Sequence, residues 1–518
     1  MTVKIILLVL FFSVMIAVGI LCRRKATDVH GFVLGGRNVG PWLTAFAYGT
    51  SYFSAVIFVG YAGQFGWKFG IASTWIGLGN ALIGSLLAWV LLGRRTRIMT
   101  QHLGSQTMPD FFAKRFGSPQ LRLLSSLIIF VFLVPYTASL YNGLSRLFGM
   151  AFDIDYTVCI LIMAVLTGIY VIAGGYMATA INDFIQGIVM LFGIVAIIAG
   201  VLKLNGGFTA SLAALARVND AAVTDVPGVF ASFFGPDSLG LAGVVLLTSL
   251  GTWGLPQMVQ KFYAIKSEND IHKGTVISTV FAVVVAGGCY FLGGFGRLFP
   301  VDIAAEGYDA IIPSMLSRLS PLLVGIALIL VLSASMSTLS SLVLTSSSTL
   351  TLDFIEPVFF KGNRKDKRNL LIIRVFIAVF ILISAVIAIV QYKLNLTFIA
   401  QLMGLSWGAL AGSFLAPFLY SLFWKRTTKI ACAVSFAWGS LLMLSNFLFS
   451  ASFPKFLQSP INCGAFAMVG GLIIVPLVSL LTPAPSKEKV EEVFACYNET
   501  VTVPVTEALH VVTKDSSK

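Results

Sequence analysis

Apolar runs of about 20 residues recur from one end of the chain to the other, separated by short polar loops, and a run of that length crosses a hydrocarbon core as one helix. About thirteen are legible on this criterion, near residues 3–22, 42–65, 71–93, 121–148, 156–175, 181–202, 239–260, 274–297, 321–350, 371–392, 395–424, 429–449 and 461–482. The first run ends in Arg23-Arg24-Lys25 with no small-residue cleavage site, which predicts a retained helix rather than a signal peptide. No hydrophilic stretch is long enough for a separate soluble domain. The segment 203–237 and a tail from Pro483, expected to be flexible, are the longest. The pattern predicts an all-α polytopic membrane protein whose chemistry lies inside the membrane-embedded part.

Composition agrees: 57% of the 518 residues are hydrophobic and 11% charged, with a mean hydropathy of +0.91. The net charge of +13 raises the question of a nucleic-acid partner, which the placement of the charges answers. Alternate loops (23–41, 93–122, 257–273, 351–374, 424–430 and the tail) hold 26 of the 35 lysines and arginines. That is the positive-inside bias; it puts the N-terminus outside and the C-terminus in the cytoplasm, and requires a lipid bilayer but no nucleic acid. Six scattered cysteines (22, 159, 289, 432, 463 and 496) form no CxxC and read as small hydrophobes. The histidines (30, 102, 272 and 510) fall in expected loops or the tail, so no cofactor or metal site is expected. No dimerisation motif stands out, and the oligomeric state stays open.

Backbone breaks at membrane depth survive only where they line a cavity or pack inside protein. The second run carries Tyr48-Gly49-Thr50-Ser51-Tyr52-Phe53-Ser54, and the seventh carries Leu250-Gly251-Thr252-Trp253-Gly254-Leu255-Pro256. Interrupted helices five apart, entering from opposite sides, are what two inverted five-helix repeats produce. Gly and Pro are also common in membrane helices, which leaves ordinary packing open. The ninth run reads Ser333-Ala334-Ser335-Met336-Ser337-Thr338-Leu339-Ser340-Ser341 and continues in hydroxyls to Ser348. Helical spacing places Ala334, Ser337, Thr338 and Ser341 on one face. Hydroxyls and unwound carbonyls are the ligands a hard monovalent cation needs; close helix packing is the alternative. Asp183, an ionisable residue within a span, is a functional candidate by default, or else a stabiliser of a helix N-terminus.

Several of these segments carry a resemblance. Ile169 to Gly187 (IYVIAGGYMATAINDFIQG), Gly35-Gly36-Arg37 with Gly40-Pro41, Met108-Pro109-Asp110-Phe111-Phe112, Gly254-Leu255-Pro256-Gln257, and the Ala-x-x-Ser-Thr of Ala334 to Thr338 resemble the motifs of the sodium:solute symporter family, in order over nearly the whole chain. The proline and pantothenate permeases are its nearest-looking members. The resemblance implies a LeuT-like fold: a leading helix (1–25), two inverted repeats (40–202 and 238–426), two trailing helices (427–482) and a cytoplasmic tail (483–518). It implies a sodium site from the carbonyls of Thr50, Phe53 and Ala334 and the hydroxyls of Ser337 and Thr338. It also implies a possible second sodium site at Asp183, Ser340 and Ser341, matching the set described in sialic-acid transporters of the family.

Tyr136, in Phe132-Leu133-Val134-Pro135-Tyr136, matches a substrate-contacting tyrosine of the proline permeases. Their Trp and Tyr in the sixth core helix correspond to Thr248 and Thr252, which disfavours proline; the glutamine of the sugar-carrying branch corresponds to Ile57, which disfavours sugar. Ser54, Ile57, Tyr136, Thr252, Trp253 and Gln401 are the expected solute-lining residues. The implied function is sodium-coupled import of a small organic solute, a carboxylate such as an organic acid, pantothenate or an amino acid, by alternating access at the cell (inner) membrane. Proton coupling, for which only Asp183 titrates, and a transporter-like sensor are the alternatives. Gly404-Leu405-Ser406-Trp407-Gly408 spells GxSxG, but in an apolar helix without an intramembrane histidine, so no enzyme is expected.

Overall fold

The computed structural model describes residues 2–23, 27–152, 155–360, 365–394 and 399–498. Arg24, Lys25, and the tail from residue 499, His510 included, lie outside the described residues. No β-strand occurs among the described residues, only the isolated bridges Val39–Ile265 and Asp220–Thr224. Helices dominate because lipid offers no partner to backbone N–H and C=O groups.

Ten described helices are long and apolar enough to cross a membrane, or eleven if the bent pair Ser238–Gly254 and Pro256–Ala264 is one span. The difference from the count expected on hydropathy has a physical origin. Two of the ten run for 47 and 49 residues, at 1.5 Å per residue about 70 Å each, twice a bilayer. Each holds a glycine outside helical geometry, Gly70 (φ 64°, ψ −143°) and Gly175 (φ 55°, ψ −147°), where the chain turns back. A Cβ at Gly175 would stand 2.7 Å from the Phe32 ring, so both conformation and space require glycine there.

The hydroxyl-rich helix Pro321–Thr349 is the axis of the bundle: every residue from Ala327 to Thr349 is buried, as expected of a helix enclosed on all sides. The helix Tyr156–Leu204 and the first broken helix, Pro41–Tyr52, pack on it. The leading helix Thr2–Cys22 is pinned by two polar residues, for Asn182 donates to the Met15 carbonyl and Gln186 to its sulfur. Outer helices expose apolar residues such as Val9, Leu10, Leu371, Val375, Leu382 and Val386, the face a membrane protein turns to lipid.

The helix Ile399–Phe423 meets the trailing helices Lys429–Phe449 and Pro460–Leu481 through glycines. A Cβ on Gly408 would lie 2.7 Å from the Gly464 backbone, so the glycines around Ser406 serve close helix contact. The tail departs from expectation. Its described part forms the helix Lys487–Phe494, burying Val490, Val493 and Phe494, with the Arg115 guanidinium 4.9 Å from the Phe494 ring centre.

Gly35-Gly36-Arg37 makes a latch where the ends of both broken helices meet. Arg37 has a left-handed φ of 54°, which aims its guanidinium back at the bundle. It donates to the Thr100 hydroxyl and carbonyl, the Tyr263 carbonyl at 3.2 Å, and the Ser105 carbonyl. Burial, with repulsion from Arg97 beside it, pulls this group down to about 10, so it stays charged at neutral pH. Next to it the Val39 N–H donates to the Ala264 carbonyl at 3.2 Å and the Lys266 N–H to the Val39 carbonyl at 3.0 Å. Arg37→Ala is expected to destabilise the purified protein by about 2 kcal/mol, since charged hydrogen bonds to buried carbonyls are lost; thermal unfolding measures it, and an unchanged midpoint contradicts it.

Candidate cation and solute site

The first broken helix starts at Pro41, where the missing N–H costs nothing, and runs to Tyr52. Phe53 is extended (φ −84°, ψ 116°), and the chain resumes as a π-helical turn, Val56–Tyr61. A helix end leaves its last carbonyls without intrahelical partners, and here they point at the hydroxyl-rich helix. The Ser337 hydroxyl lies 3.2 Å from the Thr50 carbonyl and 3.1 Å from that of Ala334. The Thr338 hydroxyl lies 3.1 Å from Thr50, 3.3 Å from Phe53 and 3.0 Å from Ala334. Thus the five residues expected at the principal sodium site converge. Each hydroxyl has one hydrogen to give, so oxygens outnumber donors at this centre, an excess that a small cation would relieve. Gly187 lets the helix Tyr156–Leu204 close on the first broken helix: a Cβ there would stand 2.3 Å from the Phe46 ring and 3.1 Å from Thr50.

One turn along the same face, Ser341 shares a hydrogen bond of 2.8 Å with Ser51 and accepts one of 3.0 Å from Lys261 Nζ. Lys261, in the half-helix Pro256–Ala264, is 3% exposed, and its Nζ lies 3.8 Å from Asp183 Oδ2. Asp183 is fully buried, neither carboxylate oxygen having a hydrogen-bond partner among the described residues. It sits well past the Gly175 break, too deep in its helix to stabilise an N-terminus. The structure therefore gathers Asp183 and Ser341 around a lysine, while the Ser340 hydroxyl turns to the Ser337 carbonyl at 2.9 Å.

Past the break lies an aromatic cluster. The Trp407 ring meets Tyr52 (centroids 5.7 Å) and Tyr136 (6.0 Å, edge to face), and it packs over the bare backbone of Gly251, where a Cβ would be 2.9 Å from it. The hydroxyls of Tyr52, Ser54 and Tyr136 and the Trp407 N–H are all buried together, none in a well-formed hydrogen bond, Tyr136 facing both Ser54 and Trp407 and Tyr52 facing Thr248. Buried polar groups are ordinarily satisfied, and a polar solute would offer this set better partners than it has in itself. Ile57 is buried one turn beyond, its carbonyl 3.9 Å from Cys289 Sγ.

The structure places three other expected solute residues elsewhere. Thr252 donates to the Gly84 carbonyl at 3.0 Å and Trp253 to the Ile83 carbonyl at 3.0 Å, because the π-helical stretch Asn80–Leu87 leaves carbonyls facing them. Gln401 lines a cavity of about 480 Å³ with Asn446 and Gln458, near the ends of the trailing helices. Two residues were missed. Lys261 reads as a loop lysine, and Trp407 is hidden in a GxSxG coincidence; a tryptophan facing a helix break from a glycine-rich helix was the available signal.

The chain matches the description "Sodium:solute symporter family" over residues 32–438. It is 28% identical over 497 residues to the osmoregulated proline transporter OpuE of Bacillus subtilis (strain 168), covering 94% of this chain and 96% of the relative. It is 30% identical over 451 residues to a sodium/proline symporter of Staphylococcus aureus (strain JH9), covering 85% of each. Among solved structures, the substrate-bound outward-open state of a Na+-coupled sialic acid symporter matches with a TM-score of 0.73 at 17% identity, covering 93% of this chain and 98% of that one. This likeness shows the fold, which is LeuT-like.

Proposed function

The chain belongs to the sodium:solute symporter family, and from that premise we propose that it moves a small carboxylate-bearing solute into the cell, coupled to sodium, by alternating access. It is a multi-pass membrane transporter, not an enzyme. The carrying observation is the crossing of Thr50, Phe53, Ala334, Ser337 and Thr338, where a break in one helix meets two hydroxyls of another. A sodium ion there joins the first broken helix to the bundle axis and holds Ser54, Tyr52 and Tyr136 in place for the solute.

The carboxylate reading rests on the same break. The first N–H groups of the resumed helix, from Ala55 onward, have no partner within it, and a helix N-terminus favours an anion. The aromatic rings of Tyr52, Tyr136 and Trp407 suit a compact apolar body behind the carboxylate. Proline, which two relatives carry by name, is one such solute, and Thr248 and Thr252 make it one of several. The proposed orientation, N-terminus outside and tail in the cytoplasm, is supported by the positive loops. The repeats are assigned to 40–202 and 238–426, with 1–25 leading, 427–482 trailing, and the tail from 483.

Reconstitution into liposomes tests this. Under an inward sodium gradient, uptake of one member of a panel (proline, other amino acids, pantothenate, short organic acids, sugars) is expected to exceed uptake in potassium or choline at least tenfold. Uptake driven equally by a proton gradient without sodium overturns it.

A further inference from the structure

We infer that the ammonium of Lys261 is a built-in cation that takes the place of a second sodium ion, so that the transporter binds and moves one sodium per cycle. The inference rests on the sodium reading above and fixes its stoichiometry.

Four elements are linked through this lysine, two by direct contact and the first broken helix through Ser341. Asp183 comes from the helix Tyr156–Leu204, Ser341 from the hydroxyl-rich helix, Ser51 from the first broken helix, and Lys261 itself from the second half of the other broken helix. The ammonium has a hydroxyl oxygen at 3.0 Å, a carboxylate oxygen at 3.8 Å and the Tyr176 ring centre at 5.2 Å. Hydroxyl, carboxylate and aromatic face are what a desolvated monovalent cation seeks. The carboxylate explains why a cation is required: Asp183 is fully buried with no hydrogen bond to either oxygen, and a buried charge persists only when paired.

A sodium ion drawn to Asp183 and Ser341 would sit within a few ångströms of the ammonium, and two like charges that close in a low dielectric exclude one another. The principal cation site is spared, since Ser337 and Thr338 direct their hydroxyls to Thr50 and Phe53, to which Lys261 makes no hydrogen bond. The tethered cation does not leave with the solute. It also ties the second broken helix to the first through Ser341 and Ser51, so the two halves of the site move as a unit around a fixed charge.

Binding of radioactive sodium to the purified full-length protein tests the inference without solute. Wild type is expected to bind one ion per chain, and Ser337→Ala with Thr338→Ala none. Lys261→Ala is expected to bind two, and Asp183→Asn added to it returns the count to one; Lys261→Arg, which keeps the charge, stays at one. Two ions in wild type, or one in a folded Lys261→Ala protein, overturns the inference while leaving sodium coupling intact. No sodium in wild type instead overturns the sodium reading, and this inference with it. The wild-type count decides even where Lys261→Ala does not fold.

Discussion

Replacing Ser337 and Thr338 together by alanine is expected to weaken sodium binding more than about 100-fold, because a polar ligand to a charged group contributes about 1.5–3 kcal/mol and two are removed. The carbonyls of Thr50, Phe53 and Ala334 remain, but backbone oxygens alone leave the cation short of ligands on the side of the hydroxyl-rich helix. Both hydroxyls also bond back to their own helix, Ser337 to Ser333 at 2.8 Å and Thr338 to Ala334 at 3.0 Å, bonds that membrane helices do without at little cost. Stability in potassium should therefore change by only about 1 kcal/mol. Sodium-dependent uptake measures the effect. An unchanged sodium dependence would mean that the cation binds elsewhere and that the hydroxyl run is packing.

The second large effect is at Trp407. Its ring fills the space between Tyr52, Tyr136 and the backbone of Gly251, so Trp407→Ala is expected to cost about 3–5 kcal/mol of stability through the cavity it leaves. The more informative variant is Trp407→Phe, which keeps a ring and removes the N–H. Solute affinity should fall about tenfold, the loss of one hydrogen bond of about 1.5 kcal/mol, while sodium alone stabilises the variant as it does wild type. Solute-dependent thermal shifts at saturating sodium separate the two. If Trp407→Phe weakened sodium and left the solute unaffected, the aromatic cluster would be misassigned.

Most of the architecture was legible because lipid permits so few solutions: apolar runs become helices, and interruptions become sites. The crossing of Thr50 and Phe53 with Ser337 and Thr338 was legible for the same reason, since a glycine-and-hydroxyl break and a hydroxyl stripe are both costly in a membrane. Lys261 was not. Pro256 restarts the helix after Leu255, so the lysine lies a full turn inside an element whose sequence reads as the beginning of a basic loop. The bonds of Thr252 to Gly84 and of Trp253 to Ile83 were not legible, because nothing in the composition of Asn80–Leu87 announces a π-helical turn with carbonyls to offer. The tail helix Lys487–Phe494 escaped notice because eight residues are too few to be helical without the packing that holds them.

In the proposed mechanism a sodium ion at the crossing of the broken helix and the hydroxyl-rich helix completes the solute site. Thermal stability of the purified protein, titrated with sodium in the absence and presence of the transported solute, tests it most directly. A ligand that binds only the folded state at 100 times its dissociation constant adds about 2.7 kcal/mol. Stabilisation is expected from sodium but not from potassium or choline, with solute lowering the sodium requirement by the same factor that sodium lowers the solute requirement. Equal stability in all three cations, or solute stabilisation indifferent to sodium, would contradict it.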